Sequence, residues 1–451
     1  MKKIYSLIVT FFIPILLFAQ WTSSTMPNAR GQIISTSADG KLYIAGGSSN
    51  TGYLPNILIY DIATDTWDQS ILLEEARANV VTTIHGNKLF CAGGIVWETS
   101  LEYPQVEIID IVSKEIIQVD SLSIPRILSS AVSVGNKVLF AGGFDITYID
   151  FTLSELIAFS RVDIYDVDTD TWITVELSEP RGGMAHAVLG NKAYFAGGYK
   201  GNGEASSRVD IYDASTDTWT TAELSEARAF YGGGVEADGK VYFAGGLDAN
   251  NNSSNQIDIY DPATDTWSVD QLSIPRMGVV AAATDGFIVF AGGGDGDSEQ
   301  FFYTNASNIV DIYNIATGEW DVHFMTDSRI NHTTVSSGNQ VFILGGYNFF
   351  NILNSIEVFT EEITSTNHLD ELIKHIKVYP NPTREILNLS NHTQVYTHFQ
   401  LLNLFGSVLL EFDNEDQDIQ IDMTPYDPGI YFIKSISDKT GHHFSKKIIH
   451  N

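Results

Sequence analysis

The chain has 451 residues, 44% of them apolar, and a formal net charge of -31 at pH 7. That apolar share fills a large core, and 12 Pro residues are too few for a disordered linker protein. So acidic a surface repels a phosphate backbone and argues against nucleic acid as a partner, and the single cysteine, Cys91, excludes a disulfide within the chain.

The first element is a targeting segment. Lys2 and Lys3 precede an apolar run over 4–18, and Ala19 offers a small residue for cleavage. The run is shorter than the ~20 residues a membrane span needs, and Pro14 interrupts it. Residues 1–19 are expected to be a signal peptide, leaving Gln20 at the new N-terminus. No later segment has the length and apolarity of a membrane span.

A repeat follows. Gly-Gly doublets begin at 46, 93, 142, 197, 245, 292 and 345. Each follows a short apolar run. Upstream of each stands an arginine: Arg30, Arg77, Arg126, Arg181, Arg228, Arg276 and Arg329. Between arginine and doublet lies a Gly-Asn or Asp-Gly pair, such as Asp39-Gly40 or Gly86-Asn87. Such pairs tolerate the positive φ of a two-residue hairpin, so the spacing predicts two antiparallel strands. A third strand alternates apolar and polar residues, as in VDIYD at 162–166 and 209–213. A turn such as ATDTW (63–67) leads to a fourth strand opened by Trp67, Trp172, Trp219, Trp267 or Trp320, with Ile116 in the second copy.

Four antiparallel strands in each of about seven ~50-residue repeats mark a propeller blade. The strands after each arginine are rich in Gly and Ala and are expected to line the axis, where little side-chain volume fits. The doublet, the strand ending in Tyr-Asp and the spaced Trp together resemble the kelch-repeat family. That resemblance covers 21–360 and implies a seven-bladed kelch-type β-propeller. The seventh copy lacks its own fourth strand. Trp21 stands before Arg30 as the other Trp residues stand before theirs, so residues 21–25 are expected to close blade seven.

Residues 361–376 read as a linker. Beyond them, 377–451 contains short alternating strands bounded by Pro, Gly or Asn, which predicts a small Ig-like β-sandwich. Tyr379-Pro380-Asn381-Pro382, Leu404-Phe405-Gly406, Pro428-Gly429-Ile430-Tyr431 and Lys446-Lys447 resemble the type A sorting domain of the type IX secretion system. That resemblance implies passage across an outer membrane by a type IX-like machinery and removal of this domain. It places the protein on the cell surface or outside the cell.

The loops after the doublets vary in length and are rich in aromatic residues. Tyr53, Trp97, Tyr103, Tyr148, Tyr199, Tyr303 and Tyr347 are the expected ligand contacts, for a glycan or a surface protein. The arginines recur once per blade and are expected to be structural, paired with acids such as Glu75, Glu179 or Glu226. Asp295, Asp297 and Glu299 alternate as calcium ligands can, but Gln300 and Ala306 stand where an EF-hand loop needs Gly and Glu, so no metal or cofactor is assigned. Among kelch relatives, copper radical oxidases need a cross-linked cysteine, whereas Cys91 falls in a core-strand slot. The leading expectation is a non-catalytic recognition module. The alternative is a carbohydrate-active enzyme resembling exported kelch sugar mutarotases or epimerases.

Overall fold

In a computed structural model of the protein the described residues are 16–99, 101–149, 152–201, 204–229, 233–297, 302–349, 351–364, 376–391, 398–413, 418–436 and 443–451. The targeting segment lies almost wholly outside them, as does most of the linker. The chain forms two compact units, one built on Trp21–Phe359 and the other on the C-terminal strands. No helix among the described residues is long and apolar enough to cross a membrane.

The first unit is a β-propeller of four-stranded antiparallel sheets. Blade one shows the pattern, with strands Ile34–Ala38, Lys41–Ala45, Asn56–Asp61 and Thr66–Leu72 in sequential order. The first two meet at Asp39–Gly40, whose φ values of 50° and 71° are those of a tight hairpin turn. In the third strand Leu58 and Ile59 are buried, and Tyr60 stands opposite Trp67 of the fourth. The Tyr60 hydroxyl donates to Asp65 at 2.7 Å, and Asp65 itself takes a left-handed φ of 53°. Tyr165–Asp170, Tyr212–Asp217 and Tyr260–Asp265 repeat this bond, which is why Tyr and Asp recur at that spacing.

Among the described residues there are six such sheets and a seventh, in the sixth copy, that gains Gly294–Asp297 as a fifth strand; the first strands of neighbouring sheets touch in cyclic order, the one at Thr333–Ser337 meeting the one at Ile34–Ala38. Ser35 N donates to Thr333 Oγ1 at 3.0 Å across that junction. The sheet of the seventh copy takes Leu16–Thr25 as its outermost strand, against Ser355–Thr364. There the Trp21 ring stacks on His323 at 3.9 Å and meets Phe359 edge-on at 5.3 Å.

The doublets join blade to blade. Gly47 N donates to Arg77 O at 3.0 Å, and Gly346 N donates to Arg30 O at 3.0 Å. A Cβ on Gly46 would lie 2.5 Å from that Arg77 carbonyl, and its φ of 60° disfavours a side chain in any case. The doublet is therefore fixed by close approach of the next blade.

Five of the seven buried arginines are paired with carboxylates, but with other acids than the sequence suggests. Arg77 meets Glu107, Arg126 meets Asp163 at 2.7 Å, Arg181 meets Asp210, Arg228 meets Asp258 at 2.5 Å, and Arg276 meets Asp311. Each acid is the polar residue inside the third strand, pointed into the interior by its alternation. Glu179 and Glu226 instead accept from Ser206 and Ser254, and Glu75 offers Arg77 only its backbone carbonyl, at 3.0 Å. Blades seven and one depart from the pattern: in blade seven Arg329 reaches Ser355 O at 3.2 Å and Ser355 Oγ at 3.1 Å, while Glu357 accepts from Thr326 N. In blade one the acid itself is missing. Leu58 holds the acid's place, and Arg30 reaches the Asn56 carbonyl and side-chain oxygen, each at 3.2 Å. Burial without a carboxylate pulls the Arg30 guanidinium down to about 10.

The C-terminal unit has a three-stranded sheet, Ile376–Tyr379, Ile386–Asn391 and Asp418–Asp422, and a four-stranded one, Val408–Asp413, His398–Asn403, Gly429–Ile436 and His443–His450. Leu387, Leu389, Phe399, Leu401, Ile421, Ile433 and Ile448 form a core shared by the two sheets, as in a β-sandwich.

Candidate functional site

The site begins with a backbone requirement. Two residues after six of the seven arginines, wherever that position is described, the chain turns left-handed: Gln32, Asn79 and Leu128 each have φ of 55°, Gly183 58°, Gly278 66° and Asn331 47°. These residues open the first strands and are hydrogen-bonded to one another around the axis. Gln32 N donates to Asn331 O, Asn79 N to Gln32 O and Gly183 N to Leu128 O, each at 3.0 Å. The next ring outward bridges each residue after an arginine to the residue after a doublet, as in Gly31 with Ser48 and Ile330 with Tyr347. The left-handed ring is thus the mouth of the axial channel on the doublet face. A cavity of about 240 Å³ opens there, lined by Gln32, Asn79, Ser130, His186, Asn331 and Thr334 among others.

One arc of this mouth is polar and aromatic. Gln32 Oε1 accepts from Trp97 Nε1 at 3.2 Å, from Ser48 Oγ at 3.0 Å and, more distantly, from the Tyr347 hydroxyl at 3.5 Å. Ser48 and Tyr347 share a further hydrogen bond. Tyr53 Oη accepts from Trp97 N at 2.9 Å, which fixes the short helical turn Trp97–Thr99. Two aromatic residues, from blades two and seven, therefore converge on one amide, and Tyr53 of blade one holds the first of them by its backbone; Gln32 Nε2 has no hydrogen-bond partner among the described residues. Tyr53, Trp97 and Tyr347 are all half-buried.

The remaining expected contacts divide. Tyr199 is 7% exposed and packs against Phe144 in an apolar layer with Ile127, Leu247 and Met277. Tyr103 turns its ring to the Arg77 guanidinium at 5.6 Å. Tyr148 and Tyr303 belong to strands Phe144–Ile149 and Phe302–Asn314, and their side chains lie outside the described residues. Glu299 lies outside them as well. Cys91 is fully buried in the second strand of blade two, and burial pushes its thiol far up, so it cannot act as a thiolate.

Inside the channel, burial holds His186 down to about 4 and His332 to about 3, so both imidazoles are neutral at neutral pH. Gln32, Asn79 and Asn331 were not among the expected contacts. Their signal was legible, because Asn79, Gly183, Gly278 and Asn331 are residue types that favour a left-handed backbone, at a fixed offset from the arginine.

In the C-terminal unit one of the expected sorting residues, Asn381, ties its loop to the last strand. Its Nδ2 donates to Lys447 O at 2.7 Å and its Oδ1 accepts from Ile449 N at 2.9 Å, so the Tyr379–Pro382 loop is laced to the last strand. Lys446 is exposed on that strand. Tyr431 donates to Asp427 O at 2.6 Å just ahead of Gly429, and Gly406 turns left-handed at φ 76°.

Kelch motifs match residues 35–69, 180–223, 229–269 and 328–362, and a secretion system C-terminal sorting domain matches 377–451. Among curated proteins the chain is similar to alpha-scruin of Limulus polyphemus, 28% identical over 38% of this chain and 19% of that protein. It is also similar to Kelch-like protein 26 of Danio rerio, 27% identical over 40% of this chain and 29% of that one. The chain thus spans less than a third of the length of these relatives. The sorting domain indicates handling by type IX secretion machinery, with export to the cell surface or beyond.

Proposed function

We propose that this secreted kelch protein is a non-catalytic recognition module that binds a glycan through the doublet face of its propeller. The observation that carries this reading is the convergence of Trp97, Tyr347 and Ser48 on Gln32 at the channel mouth. An amide held in place beside half-exposed aromatic rings suits a sugar, which offers hydroxyls at its edge and an apolar face. Among the described residues that line the channel there is no carboxylate, and the two imidazoles there are neutral, which favours binding over acid–base chemistry.

Export supplies the setting. In this reading a signal peptide over 1–19 is removed, residues 20–360 fold as the working domain, a linker covers 361–376, and 377–451 is taken off after transit. Asn381→Ala is expected to loosen the last strand and retain protein in the periplasm, read by fractionation. The recognition reading is tested by screening the protein against glycans and surface proteins, with Trp97→Ala in parallel. Glycan binding lost in Trp97→Ala supports it. Binding of surface proteins alone, or binding that ignores Trp97→Ala, overturns it.

A further inference from the structure

The protein's charge of -31 makes the composition of the channel wall informative. The described residues that line it carry no carboxylate, ammonium or guanidinium group. Its polar groups are amides, hydroxyls and imidazoles. Asn79 and Asn331 line the channel beside Gln32, while Ser129 Oγ and Thr334 Oγ1 are buried at the wall without a hydrogen-bond partner among the described residues. Buried hydroxyls left unpaired are costly unless something in the cavity meets them. The rest of the wall is Ile33, Val81, Met184 and similar apolar or small residues. A charged occupant would lose its hydration with no counter-charge to replace it, whereas a neutral hydroxylated one would exchange water bonds for wall bonds.

We propose that this channel takes an uncharged sugar unit, the end of a neutral glycan, and discriminates against acidic and amino sugars. This rests on the recognition reading above and adds the ligand's charge class and its place on the axis. The discrimination against cations is the informative half, because the acidic exterior by itself would favour them.

The test is calorimetric or saturation-transfer titration of the full chain with glucose, galactose and N-acetylglucosamine, and with glucuronate and glucosamine as charged counterparts. At least one neutral sugar is expected to bind roughly tenfold tighter than either charged form, since an uncompensated charge costs more than a hydrogen bond. That binding is expected to be insensitive to salt. Asn79→Gly and Asn331→Gly install the residue that blades four and six carry at Gly183 and Gly278, which keeps the left-handed turn. Each is expected to weaken neutral-sugar binding by roughly 5- to 10-fold, the worth of one hydrogen bond. Equal or tighter binding of glucosamine, binding that falls with salt, or no neutral sugar bound overturns the channel proposal. If Trp97→Ala abolishes binding and both glycine variants bind like the parent, the outer surface recognises the glycan and the channel does not.

Discussion

Blades seven, one and two meet the channel mouth with Asn331, Gln32 and Asn79, whereas blades three, four and six meet it with Leu128, Gly183 and Gly278. The backbone is the same on both arcs, left-handed throughout. Above the second arc lies the apolar layer of Phe144, Tyr199, Leu247 and Met277. Above the first arc Trp97, Tyr347 and Ser48 converge on an amide. Depth varies blade by blade rather than by arc: Arg77, Arg126, Arg181, Arg228 and Arg276 are locked to carboxylates, while Arg30 makes do with Asn56. A repeat scaffold can thus hold its backbone constant with one set of positions and vary its chemistry at another. Here the variable position is one that the backbone itself restricts to a few residue types.

The largest effect should come from breaking an ion pair in the second arc. Asp210→Ala leaves Arg181 buried and uncompensated, and is expected to cost about 3–5 kcal/mol in urea unfolding. Asn56→Ala in blade one removes only a neutral partner of Arg30 and is expected to cost about 1–2 kcal/mol. Equal losses would mean that blade one is held as the others are.

The aromatic residues offer a sharper contrast. Tyr199→Ala empties a buried slot and should lower stability by about 3 kcal/mol while leaving glycan affinity unchanged. Trp97→Ala should lower affinity roughly tenfold or more and cost less stability than Tyr199→Ala, because the half-buried Trp97 packs only at the edge of the same apolar layer. A loss of affinity in Tyr199→Ala, or unchanged affinity in Trp97→Ala, would dissolve the distinction between the arcs.

How much of this was legible follows from the same distinction. The doublets, the Tyr-Asp strand ends and the Trp positions could be read because each serves a local or blade-to-blade contact repeated around the ring. The partners of the arginines are not set by sequence proximity. Glu75 and Glu179 are near in sequence, but Glu107 and Asp210 arrive from a third strand whose inward face the alternation sets. That inward acid stands in VEIID and VDIYD as the polar half of a strand pattern, and alternation alone does not name its partner. Tyr199 and Tyr347 occupy equivalent loop positions, and no rule of composition separates the buried one from the half-exposed one. That depends on Phe144 beside the first and Ser48 beside the second. In the C-terminal unit the sorting motif was legible as a pattern, while the reason for Asn381 needed the last strand beside it.

The smallest expected effect lies where the arcs join. Glu102, in the loop of blade two, accepts from Ile146 N of blade three at 2.7 Å, and burial raises its carboxyl to about 8, helped by Asp145. The folded chain therefore holds this proton where the unfolded chain, with an ordinary glutamate, has released it. Between about pH 4.5 and 8 the folded form binds more protons, so the contribution of Glu102 to stability falls as pH rises through that window. Below the window both forms are protonated and above it neither is, so no further slope arises from this group. Glu102→Gln keeps an acceptor for Ile146 N and removes the titration. Water near the half-buried carboxyl screens it, so the expected gain at pH 8 is of order 1 kcal/mol, with none at pH 4. Thermal melts of both proteins across that range check it. Curves that stay parallel from pH 4 to pH 8 would show that the junction is solvated and that Glu102 does not couple the two arcs.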